Sequence, residues 1–180
     1  MLKHGLISNT AHWAELLNFN TSDIDYTALK QLVGQSVQVK EDIVEQDPFE
    51  HGIRKALNLG HTVGHAFESM ALAENRPVLH GYAVAWGIVC ELYLSHLKVG
   101  FPKEKMRQTI QFIKDNYGVF TFDCKKYEQL YAFMTHDKKN TSGTINFTLL
   151  KDIGDIRINQ IADKDTIFEM LDFYRECMGI

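Results

Sequence analysis

Proline is scarce, with three residues in 180, and glycine is modest at twelve. No stretch rich in Pro, Gly or Ser divides the chain, which excludes collagenous and low-complexity classes and leaves no visible linker. Cysteine is scarce too. Cys90, Cys124 and Cys177 are odd in number, far apart and without a CxxC pair. That excludes a disulfide framework and a cysteine metal knuckle, and fits a reducing, cytoplasmic compartment. There is no run of 18 apolar residues, so no membrane span is expected. The opening MLKHGLISNTAHWAELL has no unbroken apolar stretch and does not read as a secretory leader. Positive charge is not in excess: 19 Lys and Arg face 23 Asp and Glu, for a formal charge of −4. This argues against nucleic acid or a membrane surface as main partner. A glycine-rich dinucleotide fingerprint is also missing. What remains is an ordinary soluble chain, 45% apolar, long enough for one domain with a sizeable core.

Helical patterns dominate. A first helix is expected from about Leu2 to Leu17. A second starts at the Thr21-Ser22-Asp23 caps and runs toward Val44, stopped by Pro48. A third covers about Ile53 to Leu72. Residues from Gly81 to Val99 are apolar on nearly every face, as expected of a central buried helix. Pro102 opens another helix that would bury Met106, Ile110 and Ile113. Tyr127 to Met134 forms a short one. The strand-like runs 144–150 and 155–158, joined by the turn 151–154, read as one β-hairpin. A capped amphipathic helix covers Asp163 to Cys177. The fold class is therefore mainly α, a multi-helix domain with one small hairpin.

Chemistry concentrates between Glu50 and Glu68. Arg54, Asn58, His61 and His65 are spaced by four, three and four residues, which on one helix puts them on one face. Gly60 and Gly64 cost roughly 1 kcal/mol each against Ala in a helix interior, so something approaches this helix closely. His61 and His65 at i and i+4 suit one divalent metal, or a division between metal and proton duties. His80 can fold back onto them by way of the turn at Pro77. Other candidates are weaker. Lys40 and Lys3, taken alone, read as solvated lysines. The charged stretch His136 to Asn140 reads either as a solvated loop or as a basic clamp for an anion. His4, His12, His51 and His96 lack a partner pattern and read as surface or capping residues. Cys90 reads as core.

The phrase from Arg54 to Glu68, the following Leu79-His80-Gly81, the turn Asp137-Lys138-Lys139 and the opening Leu2 to Ile7 together resemble the C-terminal domain of the 3-dehydroquinate synthases. The likeness extends over essentially the whole chain. It implies a helical metal- and substrate-binding domain of an NAD- and metal-dependent lyase of the shikimate pathway, active in aromatic amino-acid and chorismate biosynthesis. That family converts 3-deoxy-arabino-heptulosonate 7-phosphate to 3-dehydroquinate plus phosphate, with catalytic NAD and a zinc or cobalt ion as Lewis acid.

By resemblance, His61 and His80 are metal ligands, and His65 and Glu50 are catalytic groups that move protons. Lys3, Lys40, Arg54, Asn58 and the Lys138-Lys139 pair bind substrate, and a homodimer is implied. Tyr82 stands where the family has Glu, which would alter a hydrogen bond behind the metal. The family's third metal ligand, a Glu three residues before Lys3, falls one position before Met1. The expectation is therefore a single domain over 1–180 without the NAD-binding domain, inactive by itself. Two alternatives stand beside it: a related inosose or valiolone synthase, and a non-catalytic metal-binding or interaction domain.

Overall fold

A computed structural model of the chain describes residues 1–136 and 144–180. The helices are α1 (Leu2–Ser8), α2 (Thr10–Asn18), α3 (Tyr26–Gln46), α4 (His61–Ala73), α5 (His80–Val99), α6 (Lys103–Tyr117), α7 (Tyr127–Thr135) and α8 (Lys164–Met178). Strands β1 (Asn146–Asp152) and β2 (Asp155–Ile161) pair antiparallel. The mainly helical class with one hairpin is as expected.

Helix α5 is the axis. Twelve of its 20 residues are buried, from Ala83 to Ser95, so neighbours must cover it on all sides. Helices α4, α6 and α8 and strand β1 do so. Irregular register steps between Phe147 and Leu149 and between Leu150 and Asp152 turn successive β1 side chains inward. Phe147, Leu149 and Leu150 are fully or almost fully buried as a result. Each such side chain contributes roughly 1.5–3 kcal/mol through its removal from water. The Ser95 hydroxyl accepts the Leu150 N–H at 3.0 Å and donates to the Glu91 carbonyl at 2.7 Å, locking the hairpin to α5.

Two expected helices are broken. The first is split at Asn9, whose backbone is extended and whose Oδ1 accepts the His12 N–H at 2.9 Å, so Asn9 caps α2. The halves fold against each other at Gly5, where a Cβ would stand 2.9 Å from the Trp13 Cα. The helix expected over Ile53 to Leu72 is also two pieces. A 3-10 turn spans Ile53–Asn58, Gly60 takes a left-handed φ of +80°, and α4 starts at His61. Arg54 and Asn58 therefore do not share a helix face with His61 and His65, contrary to the spacing argument. The second helix starts later than expected, capped by Asp25, whose Oδ1 accepts the Thr27 and Ala28 N–H groups.

A candidate metal centre at the α4 and α5 N-termini

The glycines do what their spacing implies. A Cβ on Gly64 would lie 2.9 Å from the Ala83 carbonyl oxygen, and one on Gly60 would lie 2.7 Å from that of Val84. On the facing helix, a Cβ on Gly87 would sit 2.1 Å from the Gly60 oxygen and 2.7 Å from the Gly64 nitrogen. The two helices thus cross backbone to backbone. That crossing brings the first residue of α4, His61, beside the first residue of α5, His80.

His61, His65 and His80 each present a ring nitrogen, and these nitrogens all lie within 4.8 Å of one another. The ring centroids are 5.3 Å (His61–His80), 5.4 Å (His61–His65) and 5.8 Å (His65–His80) apart. Two hydrogen bonds show how the His61 and His80 rings are turned. His61 Nδ1–H donates to the Leu59 carbonyl at 3.1 Å. His80 Nδ1–H donates to the Glu68 carboxylate at 3.1 Å. A carbonyl and an ionised carboxylate can only accept, so in the neutral ring each bond leaves the Nε2 lone pair for a metal. Burial, and then the Lys3 ammonium, push His61 down to about pKa 3, so its imidazole is neutral at pH 7 as a ligand must be. The donor set thus fits a zinc- or cobalt-type ion: imidazole nitrogens, close together, with ring orientation held from behind.

Glu68 closes the motif block, and no role was read for it in the sequence. It places a carboxylate behind the His80 ring, where Tyr82 makes no such bond. Tyr82 instead packs edge-on against Trp86 and Tyr117, with centroids 5.9 and 5.3 Å away.

Of the expected substrate residues, Lys3 and Asn58 line two different concavities. Lys3, His4, His61 and His80 line a cleft of about 250 Å³, where Lys3 Nζ donates to the Leu57 carbonyl at 2.7 Å. Glu50, Asn58 and Thr62 line a separate groove of about 520 Å³ walled by Asn146 of β1. Asn58 Nδ2 donates to Glu50 Oε1 at 2.8 Å, and Glu50 holds a left-handed φ of +59°. For a non-glycine residue that conformation costs about 1–3 kcal/mol, and such strain gathers at functional sites.

Asp47 over-determines this loop. Its carboxylate accepts the N–H groups of His51, Gly52 and Arg54 at 3.0, 2.7 and 3.0 Å, and these bonds hold its pKa below the usual carboxylate range. Pro48 was legible as a helix stop, but the triple acceptor beside it was not. Arg54 Nη1 donates to the Pro48 carbonyl at 2.5 Å, so part of its fork is already engaged. Lys40 is exposed on α3, yet its charge reaches His4. Lys138 and Lys139 lie outside the described residues.

Two histidines read as surface or capping residues are otherwise. His12 is 4% exposed and bonded to the Ser36 hydroxyl at 3.1 Å. His4 is half-buried in the cleft, and its pKa is depressed to about 4, first by burial and then by the N-terminal amine, Lys3 and Lys40. Cys90 is core, as expected. Among the described residues no helix is long and apolar enough to cross a membrane.

The family model described as 3-dehydroquinate synthase C-terminal matches residues 1–140. A 3-dehydroquinate synthase of Parabacteroides distasonis is 59% identical over all 180 residues, which are 51% of its own length. Another, from Leptospira interrogans, is 40% identical over 88% of the chain and 45% of the relative. The chain thus spans about half the length of the curated relatives it matches. Among solved structures, a 2-epi-5-epi-valiolone synthase of Streptomyces hygroscopicus, with NAD+ and Zn2+ bound, superposes with a TM-score of 0.81 at 18% identity. That match takes in 97% of this chain and 49% of that one. A 2-deoxy-scyllo-inosose synthase complexed with carbaglucose-6-phosphate, NAD+ and Co2+ gives 0.75 at 20% identity, over the same shares. At such identities these two show the fold alone.

Proposed function

Because the chain belongs to the 3-dehydroquinate synthase C-terminal family, we propose that it supplies the metal- and sugar-phosphate-binding part of such an enzyme's active site. The reaction proposed is conversion of 3-deoxy-arabino-heptulosonate 7-phosphate to 3-dehydroquinate and phosphate. The observation that carries the reading is the convergence of His61, His65 and His80, with His61 and His80 bonded through Nδ1. The 59% relative supports this substrate over the inosose and valiolone products of the more distant structural neighbours.

In this reading His61 and His80 hold the ion through Nε2. When bound, zinc or cobalt supplies Lewis-acid polarisation of a substrate oxygen. Loss of phosphate by β-elimination requires a proton to leave the neighbouring carbon. His65 and Glu50 are the imidazole and carboxylate available to accept one and return it. Lys3, Lys40 and Arg54 place positive charge around a substrate that carries both a carboxylate and a phosphate, and Asn58 orients Glu50. NAD is proposed as the recycling oxidant, with no contact assigned to these residues. A second reading makes His65 a third ligand, favoured by its nitrogen lying within 4.8 Å of the other two.

Cobalt titration followed by visible absorption tests both readings. One equivalent is expected to bind, and His61→Ala and His80→Ala should each weaken binding at least about tenfold. His65→Ala with unchanged affinity assigns His65 to proton transfer, whereas a comparable loss makes it a ligand. A wild-type chain that takes up no cobalt would remove the metal-site reading.

A further inference from the structure

Helix α4 begins without a cap of its own. Its N-cap is Gly60, which has no side chain to offer the free N–H groups of the first turn. Two N–H groups at this end, those of Gly60 and Val63, are met from the neighbouring helix. Glu91 of α5 is fully buried, and its Oε2 accepts the Gly60 N–H at 2.6 Å. Its other oxygen, Oε1, accepts the Val63 N–H at 3.3 Å. The two amides bracket His61.

Placing a carboxylate there demands the close helix crossing. Glu91 lies one turn beyond Gly87, and Gly87 is where the α5 backbone touches Gly60 and Gly64. A carboxylate buried among apolar groups is costly unless it is hydrogen-bonded, and a helix N-terminus favours the negative charge. The motif block that marks the site does not include this residue. In the sequence it is one acid inside an apolar helix.

We propose that Glu91 is a positioning residue for the metal centre, clamping the first turn of α4 so that His61 faces His80 with Nε2 free. The clamp acts on the backbone on both sides of His61. Residue 91 is eleven positions along α5 from His80, about 16 Å at 1.5 Å per residue. One rigid helix therefore carries both the second ligand and the group that orients the first. Leu59, whose carbonyl receives His61 Nδ1–H, directly precedes the clamped Gly60. Slackening the clamp releases that acceptor as well as the helix start. The inference rests on the reading of the three histidines as a metal site.

The test compares wild type with Glu91→Gln on the 180-residue chain. Glutamine keeps the size and one acceptor oxygen but cannot accept both N–H groups. Three readouts are taken: amide exchange at Gly60 and Val63, the His61 ring tautomer by nitrogen NMR, and Co2+ affinity. Expected for the variant are at least tenfold faster exchange at one or both amides, loss of the single Nδ1–H form of His61, and Co2+ binding weakened about tenfold. A variant that melts earlier but keeps the His61 tautomer and the wild-type Co2+ affinity would make Glu91 a structural residue only and overturn the proposal.

If Glu91→Gln does not fold, the wild type decides. Slow exchange at Gly60 and Val63 with a fixed Nδ1–H tautomer supports the clamp, and rapid exchange at both overturns it. A wild type that binds no Co2+ fails the metal reading itself, an outcome separate from the tautomer and exchange results.

Discussion

Where α4 crosses α5, backbone meets backbone across Gly60, Gly64 and Gly87, and the histidines emerge from that crossing. Helix α3 is built the other way. It is 21 residues long, but buries Leu32, Ser36 and Ile43 alone, and leaves Tyr26, Val33 and Val37 exposed. Gly34, near its middle, has nothing within 4 Å of where a Cβ would stand. Both regions carry residues proposed for one site, His61 and His80 in the first and Lys40 in the second. The contrast follows from the chemistry. A metal ion tolerates errors of tenths of an ångström in its ligands, so they stand on the most constrained backbone. A lysine attracts an anion over several ångströms and works from an exposed, lightly packed helix.

The comparison breaks most sharply at Gly87. Gly87→Ala would drive a methyl group into the Gly60 oxygen and the Gly64 nitrogen, backbone atoms that cannot step aside. A loss of about 3 kcal/mol is expected, the upper end of the usual overpacking cost, measured by urea denaturation. Cobalt binding should fall with it. Next in size is Glu68→Ala, which frees the His80 ring. Co2+ affinity should drop about tenfold by calorimetry, while Lys40→Ala should leave it unchanged.

Acid is the third probe. His4 and His61 are held neutral in the folded chain down to about pH 4 and 3, against an unfolded value near 6.5. Between those limits the unfolded chain binds protons that the folded chain refuses, so acidification destabilises. The metal-free melting temperature should be independent of these groups above pH 6.5 and fall progressively below it. His4→Phe should make that fall shallower, because the His4 Nδ1 is buried without a hydrogen-bond partner in the folded chain and a phenyl ring loses nothing there. The smallest effect belongs to α3. Gly34→Ala should stabilise by about 0.5–1 kcal/mol in the same urea experiment, the opposite sign to Gly87→Ala.

Particular residues show how far the sequence could be read. The apolar run after His80 made α5 central without ambiguity, because burial on all faces leaves no polar stripe. Gly60 and Gly64 announced a close approach, and α5 is what approaches. The break at Gly60 was hidden, since Arg54, Asn58, His61 and His65 keep a helical spacing across it. A left-handed glycine with its cap supplied from another helix leaves no periodic trace. Glu68, Asp47 and Glu91 escaped notice for a related reason. Each acts on a partner that the fold, not the spacing, brings within reach.

By itself the amino-acid sequence determined the helical class, the hairpin and the buried axis, and singled out the histidine cluster. These depend on local pattern and residue chemistry. Tertiary structure decided which candidates meet. It separated Arg54 and Asn58 from the histidine face, joined His80 to His61 and His65, and set a buried carboxylate under the start of α4. Those outcomes depend on how closely two helices can pack, and three glycines settle that distance in space.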